Sequence, residues 1–194
     1  KNKEKNFNEF DGKKYLEKNG IHIPTSQEVN SKKDFFNLAP SFPLSLKFSS
    51  PKLLHKTEIG AVKLNIQDKK SLIFEFKKLK KSIDTKFKKG EGKFFVEEMA
   101  PTPIAEMFLS LRNDKNFGKI LVLGMGGTFA ELFKDTSTFI LPASRNQLLE
   151  GLSKLKIFKV MTGYRNSKKI SRIRLLNELM KVIKLFEDPE NQLS

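Results

Sequence analysis

Residues 42–62 read Phe42-Pro43-Leu44-Ser45-Leu46-Lys47-Phe48-Ser49-Ser50-Pro51-Lys52-Leu53-Leu54-His55-Lys56-Thr57-Glu58-Ile59-Gly60-Ala61-Val62. Within them Leu44-Ser45-Leu46-Lys47-Phe48 alternates apolar and polar, the pattern of a strand whose successive side chains point to opposite faces. The same alternation returns in Val62-Lys63-Leu64-Asn65-Ile66. Between the two runs lies a polar loop holding a Ser-Pro pair, one histidine and a glycine. A lysine at a strand end can hold a point charge over a phosphate, or can simply face water. Gly60 leaves room for backbone N–H groups to approach an anion, although a lone glycine more often serves a turn.

On either side of this stretch the pattern changes between helix and strand. Upstream, residues 1–9 are polar and charged and read as a linker or frayed end. Residues 10–18 read as a short helix stopped by Asn19-Gly20, and Ile21-His22-Ile23-Pro24 as a short strand closed by proline. His22, inside that apolar run, reads as a structural histidine. Ser31 can cap a helix running through residue 38, which Pro40 and Pro43 then end. Downstream, Asp68 caps a long helix reaching about residue 89, with Leu72, Phe76, Leu79 and Ile83 as its buried stripe.

Residues 94–99 form a strand, and Pro101-Thr102-Pro103 a stiff connection. Residues 105–112 and 119–123 read as a hairpin, and Gly124-Met125-Gly126-Gly127 leads into residues 128–134, with Glu131 expected on a strand. Residues 139–141 complete the strands. Ser144 begins one helix and another spans residues 171–187. The order implies an α+β fold of two lobes, residues 10–98 and 99–194, with a ligand cleft expected between them. Residues 10–24 are left free to pack with the second lobe.

Composition bounds the chemistry. The chain has 194 residues, 38% of them hydrophobic, enough to fill a core. It has no cysteine, which excludes a disulfide framework, a thiolate zinc site and a cysteine nucleophile. No apolar run approaches the length of a membrane span, and the first residues lack the apolar core of a secretory signal. A cytoplasmic protein without a membrane partner is therefore expected. The formal charge is +15, but it comes from 32 lysines against 5 arginines. The densest basic run, residues 77–89, interleaves with apolar residues at helical spacing. It reads as a solvated helix face rather than a nucleic-acid footprint, so no nucleic-acid partner is expected.

The string from Phe42 to Val62 resembles the ATP-grasp domain of the ADP-forming acyl-CoA synthetases, relatives of the succinyl-CoA synthetase beta subunit. The family pattern is approximately P-V-x-L-K-x-x-S-P-x-x-x-H-K-[ST]-[DE]-x-G-G-V, matched here with Ala61 in place of the second glycine. Val96-Glu97-Glu98-Met99 resembles the family's V-Q-E-M hinge strand, and Glu106 falls at its post-hinge glutamate. Asp114, Phe117-Gly118 and Gly124-Met125-Gly126-Gly127-Thr128-Phe129-Ala130-Glu131 resemble its D-x-x-F-G…G-x-G-G-x-x-x-E element, and Gly163-Tyr164-Arg165 a later G-x-R-G-like one. The resemblance covers about residues 10–188.

It implies an ATP-grasp fold and roles for particular residues. Lys47, Lys56 and the Gly60 loop would hold ATP phosphates. Glu98 and Met99 would sit where a strand's free backbone groups pair with adenine, and Glu106 would accept from ribose hydroxyls. Gly126 and Gly127 would let the chain pass close to the nucleotide, although a β-bulge needs the same residues. Glu131 would face the metal–phosphate region, against the reading of a surface glutamate. His55 would be a phosphohistidine relay, since neutral imidazole accepts a phosphoryl group near neutral pH; loop packing or a hydrogen bond to phosphate are the other roles open to it. Mg²⁺ would be the metal, its main ligands expected beyond residue 194. CoA would be bound by CoA-binding and CoA-ligase domains elsewhere in the same chain or in a partner subunit.

The complete enzyme would convert carboxylate, CoA and ATP to acyl-CoA, ADP and phosphate, and these 194 residues alone would be inactive. The alternative is a non-catalytic regulatory ATP-grasp-like module, as fused to some protein acetyltransferases. Ala61, and metal ligands expected only beyond residue 194, fit that alternative.

Overall fold

In the computed structural model, residues 7–53, 60–128, 130–166 and 168–189 are described. Those up to Pro101 form one compact unit and those from Thr102 onward another.

The first unit opens with helix α1 (Glu9–Lys18), capped by Asn8, whose side chain accepts from the Asp11 amide at 3.0 Å. Strand β1 (Ser26–Glu28) follows, then a 3-10 helix at Lys32–Phe36 with Ser31 as its cap. Strands β2 (Leu44–Ser49) and β3 (Val62–Ile66), helix α2 (Lys69–Asp84) and strand β4 (Lys93–Glu98) complete the unit. The four strands form an antiparallel sheet in the order β1-β4-β2-β3. Leu44, Leu46 and Phe48 of β2 lie on the same face as Phe94 and Val96 of β4, and the α2 stripe of Leu72, Phe76, Leu79 and Ile83 closes over them. Asp68 starts that helix by accepting from the Ser71 amide.

The other face of the sheet carries Ser45, Lys47 and Ser49 opposite Glu97, Phe95 and Lys93. Alternation in β2 predicts one buried and one solvated face. Instead α1 lies on the polar one. Phe10 packs on Phe95 with ring centroids 5.2 Å apart, and the Glu9 amide donates to Ser49 Oγ at 2.7 Å. Asp11 pairs with Lys93 at 2.8 Å.

The second unit is a three-stranded antiparallel meander, β5 (Met107–Asp114), β6 (Gly118–Met125) and β7 (Thr136–Ile140), in that order. Asp114 ties the first turn by accepting from the amides of Asn116 and Phe117. Between β6 and β7 lies a short helix, α3 (Ala130–Phe133). Three more follow: α4 (Arg145–Lys154), α5 (Lys156–Met161) and α6 (Arg172–Glu187). Ser144 and Gln147 form a capping box on α4, and Ser171 caps α6. Leu121, Leu123 and Phe139 of the sheet pack with Leu148, Leu152, Phe158, Leu179, Ile183 and Phe186 of the helices.

Several expectations needed correction. No strand forms at residues 21–24; the Ile21 amide instead closes the end of α1 by donating to Leu16 O. Pairing with β4 begins only after Pro24, where Thr25 O accepts from the Glu98 amide. His22 is correspondingly exposed rather than held in a strand. Helix α2 stops at Asp84, because the amides of Lys86 and Phe87 turn back onto Ile83 O. Glu131 stands on a helical turn, not a strand: after Gly127 the chain closes Ala130 N onto Gly127 O and Lys134 N onto Ala130 O. Helix α5 was not anticipated. Its first amides, Lys156 and Ile157, are capped by the carboxylate of Asp135, a partner distant in sequence.

Candidate functional site

Lys47 leaves the middle of β2 on the face beneath α1, and it does not stand alone. Its ammonium donates to Glu97 Oε1 at 2.7 Å and to Glu9 Oε1 at 3.0 Å. Lys13 of α1 reaches the same two carboxylates, at 2.6 Å and 3.0 Å. The result is a closed ring of two ammonium groups and two carboxylates, half from the helix and half from the sheet. Glu97 is 4% exposed. Burial alone would lower the pKa of Lys47, but hydrogen bonding and charge from Glu97 and Glu9 outweigh it and hold that pKa above the ordinary lysine value. The Lys47 side chain is 15% exposed, its ammonium 5.7 Å from the Phe95 ring centroid. It is neither a free surface lysine nor part of the apolar core.

Glu9, Lys13 and Glu97 escaped the sequence reading. For Glu97 a signal existed. Strand alternation puts it on the face of Phe95, and the β2–β4 register then brings it near Lys47. That register is a long-range property, and α1 adds its two charges from still farther away in sequence.

Gly60 precedes β3 with φ +67, a left-handed conformation that favours glycine, and nothing lies within 4 Å of where a Cβ would stand. Ala61, by contrast, is fully buried in the core, and its carbonyl accepts from the Phe48 amide at 2.9 Å. A methyl group at this position is filled space. His55 and Lys56 lie outside the described residues.

At the end of β4, the amides of Glu98 and Met99 are engaged, donating to Thr25 O and Pro43 O at 3.0 Å each. Of the backbone groups expected to pair with a base, these two amides are already engaged within the first unit. The Glu98 carboxylate accepts from the Ser41 amide at 2.7 Å, which with the Thr25 side chain holds its pKa below the usual carboxylate range. Met99 Sδ accepts from the Asn65 amide.

In the second unit three of the expected residues come together. Glu106 precedes β5, and its carbonyl accepts from the Gly126 amide at 2.8 Å. Gly127 takes φ +76, and a Cβ there would lie 2.7 Å from Glu106 Oε2. A Cβ on Gly126 would stand 3.0 Å from the Met107 carbonyl carbon. Gly126 is thus held by close approach to the backbone of Glu106 and Met107, and Gly127 by its left-handed backbone beside the Glu106 carboxylate, whose side chain is exposed. Glu131 on α3 is also exposed. Among the described residues, no group of three or more His, Asp or Glu side chains converges as a metal site.

A groove of about 680 Å³ lies on the α2 side of the first sheet, lined by Asn30, Lys32, Phe76, Lys77 and Lys80 among others. It is on the face opposite Lys47. Among the described residues, no helix is long and apolar enough to cross a membrane.

Comparison with known proteins agrees with this architecture. The model of the ATP-grasp domain family matches residues 1–191. The ADP-forming 4-hydroxybutyrate–CoA ligase of Nitrosopumilus maritimus is 26% identical over 191 residues, which is 97% of this chain and 27% of the ligase. The beta subunit of ADP-forming acetate–CoA ligase II from Pyrococcus furiosus is 24% identical over 184 residues, 93% of this chain and 77% of the subunit. The chain thus spans about a quarter of the first relative and about three quarters of the second. Among solved structures, an acetyl-coenzyme A synthetase 1 of Ca. Korarchaeum cryptofilum, in complex with coenzyme A and Mg-AMPPCP, superposes with a TM-score of 0.76 at 25% identity. That match covers 93% of this chain and 79% of the other.

Proposed function

The chain belongs to the ATP-grasp domain family, and on that premise we propose that it is the ATP-binding part of an ADP-forming acyl-CoA synthetase. The complete enzyme would form acyl-CoA, ADP and phosphate from a carboxylate, CoA and ATP, through an acyl phosphate and a phosphohistidine. CoA and the acyl group would be handled by CoA-ligase domains of the same chain or a partner subunit. The matched relatives are ADP-forming CoA ligases, and the Korarchaeum synthetase was solved with a magnesium–nucleotide analogue and a phosphohistidine segment pointing towards its nucleotide-binding site.

The observation that carries the reading is the union of Glu106 with Gly126 and Gly127. It leaves a carboxylate beside backbone stripped of side chains, suited to accept from ribose hydroxyls while a nucleotide lies close to the main chain. Lys47 would supply positive charge to the phosphates, and the left-handed Gly60 would leave its own backbone open to approach them. Lys56 would join them, and His55 would relay the phosphoryl group. Glu98 and Met99 would border the base with their side chains and carbonyls.

Magnesium would neutralise phosphate charge. The described residues offer it no cage of their own, so beyond Glu131 its protein ligands would come from elsewhere.

The experiment is calorimetric titration with Mg·ATP of the wild type and Glu106→Ala. Saturable binding that weakens about tenfold in the variant is the expected result. Affinity for duplex DNA with a steep salt dependence, uncontested by ATP, would overturn it.

A further inference from the structure

The ring around Lys47 holds two positive and two negative groups, so its net charge is zero. Such a ring attracts a polyphosphate weakly, because two carboxylates cancel the field of the ammonium groups a few ångströms away. Its members are not equivalent. The Glu97 side chain is 6% exposed, and stripping a buried carboxylate of its cations is costly. The Glu9 side chain is 23% exposed, stands on α1, and holds Lys47 at 3.0 Å against 2.7 Å for Glu97. Of the two carboxylates, Glu9 can exchange its partner for water at the smaller cost.

Resting on the proposed role of Lys47 in gripping phosphates, we infer that Glu9 is an internal competitor for its ammonium, displaced by the phosphates of a nucleoside triphosphate. Glu97 keeps the ammonium aimed throughout. Glu9 then sets the affinity for the nucleotide and its dependence on phosphate number, since a more highly charged ligand competes better. Displacement also loosens α1 from the sheet without releasing it, because Phe10 on Phe95 and Asp11 on Lys93 remain.

The test compares Glu9→Gln with Asp11→Asn, which removes a different ion pair between α1 and the sheet and leaves Lys47 untouched. Affinities for Mg·ATP, Mg·ADP and AMP are measured by calorimetry, together with amide hydrogen exchange across α1. Glu9→Gln is expected to bind Mg·ATP roughly threefold to tenfold more tightly, Mg·ADP less so and AMP least. Asp11→Asn should stay within about twofold of wild type. Adding Mg·ATP to the wild type should speed exchange in α1.

If Lys47→Ala weakens Mg·ATP binding while Glu9→Gln binds no more tightly than Asp11→Asn, or if nucleotide slows exchange in α1, the competition is refuted and the role of Lys47 survives. If Lys47→Ala binds Mg·ATP as the wild type does, the role of Lys47 falls and the competition falls with it.

Discussion

The ring of Glu9, Lys13, Lys47 and Glu97 in the first unit and the Glu106–Gly126–Gly127 turn in the second are built in opposite ways, and under the proposed function they would meet a charged ligand differently. The ring is filled: every charge has a partner within 3.0 Å, and a ligand must displace one of them. The turn is emptied: its two glycines leave backbone and one exposed carboxylate, and a ligand has only to arrive. On the proposed reading, the first region would bind through electrostatics that also hold the fold together, whereas the second would bind through shape. Truncating the exposed Glu106 side chain should separate stability from the proposed binding, whereas mutations in the ring should not.

The largest effect is expected where the ring loses its buried member. Glu97→Ala leaves Lys13 and Lys47 to share the single carboxylate of Glu9 and should lower unfolding free energy by about 2–4 kcal/mol in urea denaturation. A loss well under 1 kcal/mol would put the ring among ordinary surface pairs and dissolve the contrast. Next comes Gly127→Ala. The added methyl would meet the Glu106 carboxylate at a left-handed backbone position, costing about 1–2 kcal/mol by thermal denaturation and weakening Mg·ATP binding. Stability lost with binding intact would reduce the turn to a structural bend. Asp135→Ala should cost about 1 kcal/mol, since it uncaps α5, and should leave the ring unaffected.

The smallest effect concerns pH. Lys47 has a folded pKa raised above the ordinary 10.5. Its stabilising contribution is therefore complete below the unfolded value and lost as pH rises through the folded one. The stability gap between wild type and Lys47→Met should stay constant from neutrality to about pH 10 and narrow above it. A gap that narrows between about pH 6 and 9 would show that another group governs the ring.

These two regions were also unequally legible in the sequence. The glycine pair and Glu106 could be named because the family resemblance carries them, and the register of β5 with β6 is what brings them together. The cap at Asp68 and the helix starts at Ser144 and Ser171 were local signals, and the structure places an N-cap at each. The ring could not be read. Lys47 was visible as a strand-end cation, but Glu97 reaches it through the pairing of β2 with β4 across the sheet, and Glu9 and Lys13 through the packing of α1. Helix α5 was missed for the same reason, its cap Asp135 lying in the turn before β7. Misreading residues 21–24 as a strand shows the converse failure. Alternation was present, but the neighbour it needed began pairing only at Thr25.

Whether Lys47 grips phosphate is decided by titrating wild type and Lys47→Ala with Mg·ATP and with adenosine under identical salt. The expected result is at least a roughly tenfold loss of Mg·ATP affinity with adenosine binding preserved, because only the charged part of the ligand meets the ammonium. Equal Mg·ATP affinity in the two proteins would show that Lys47 serves only to dock α1 on the sheet.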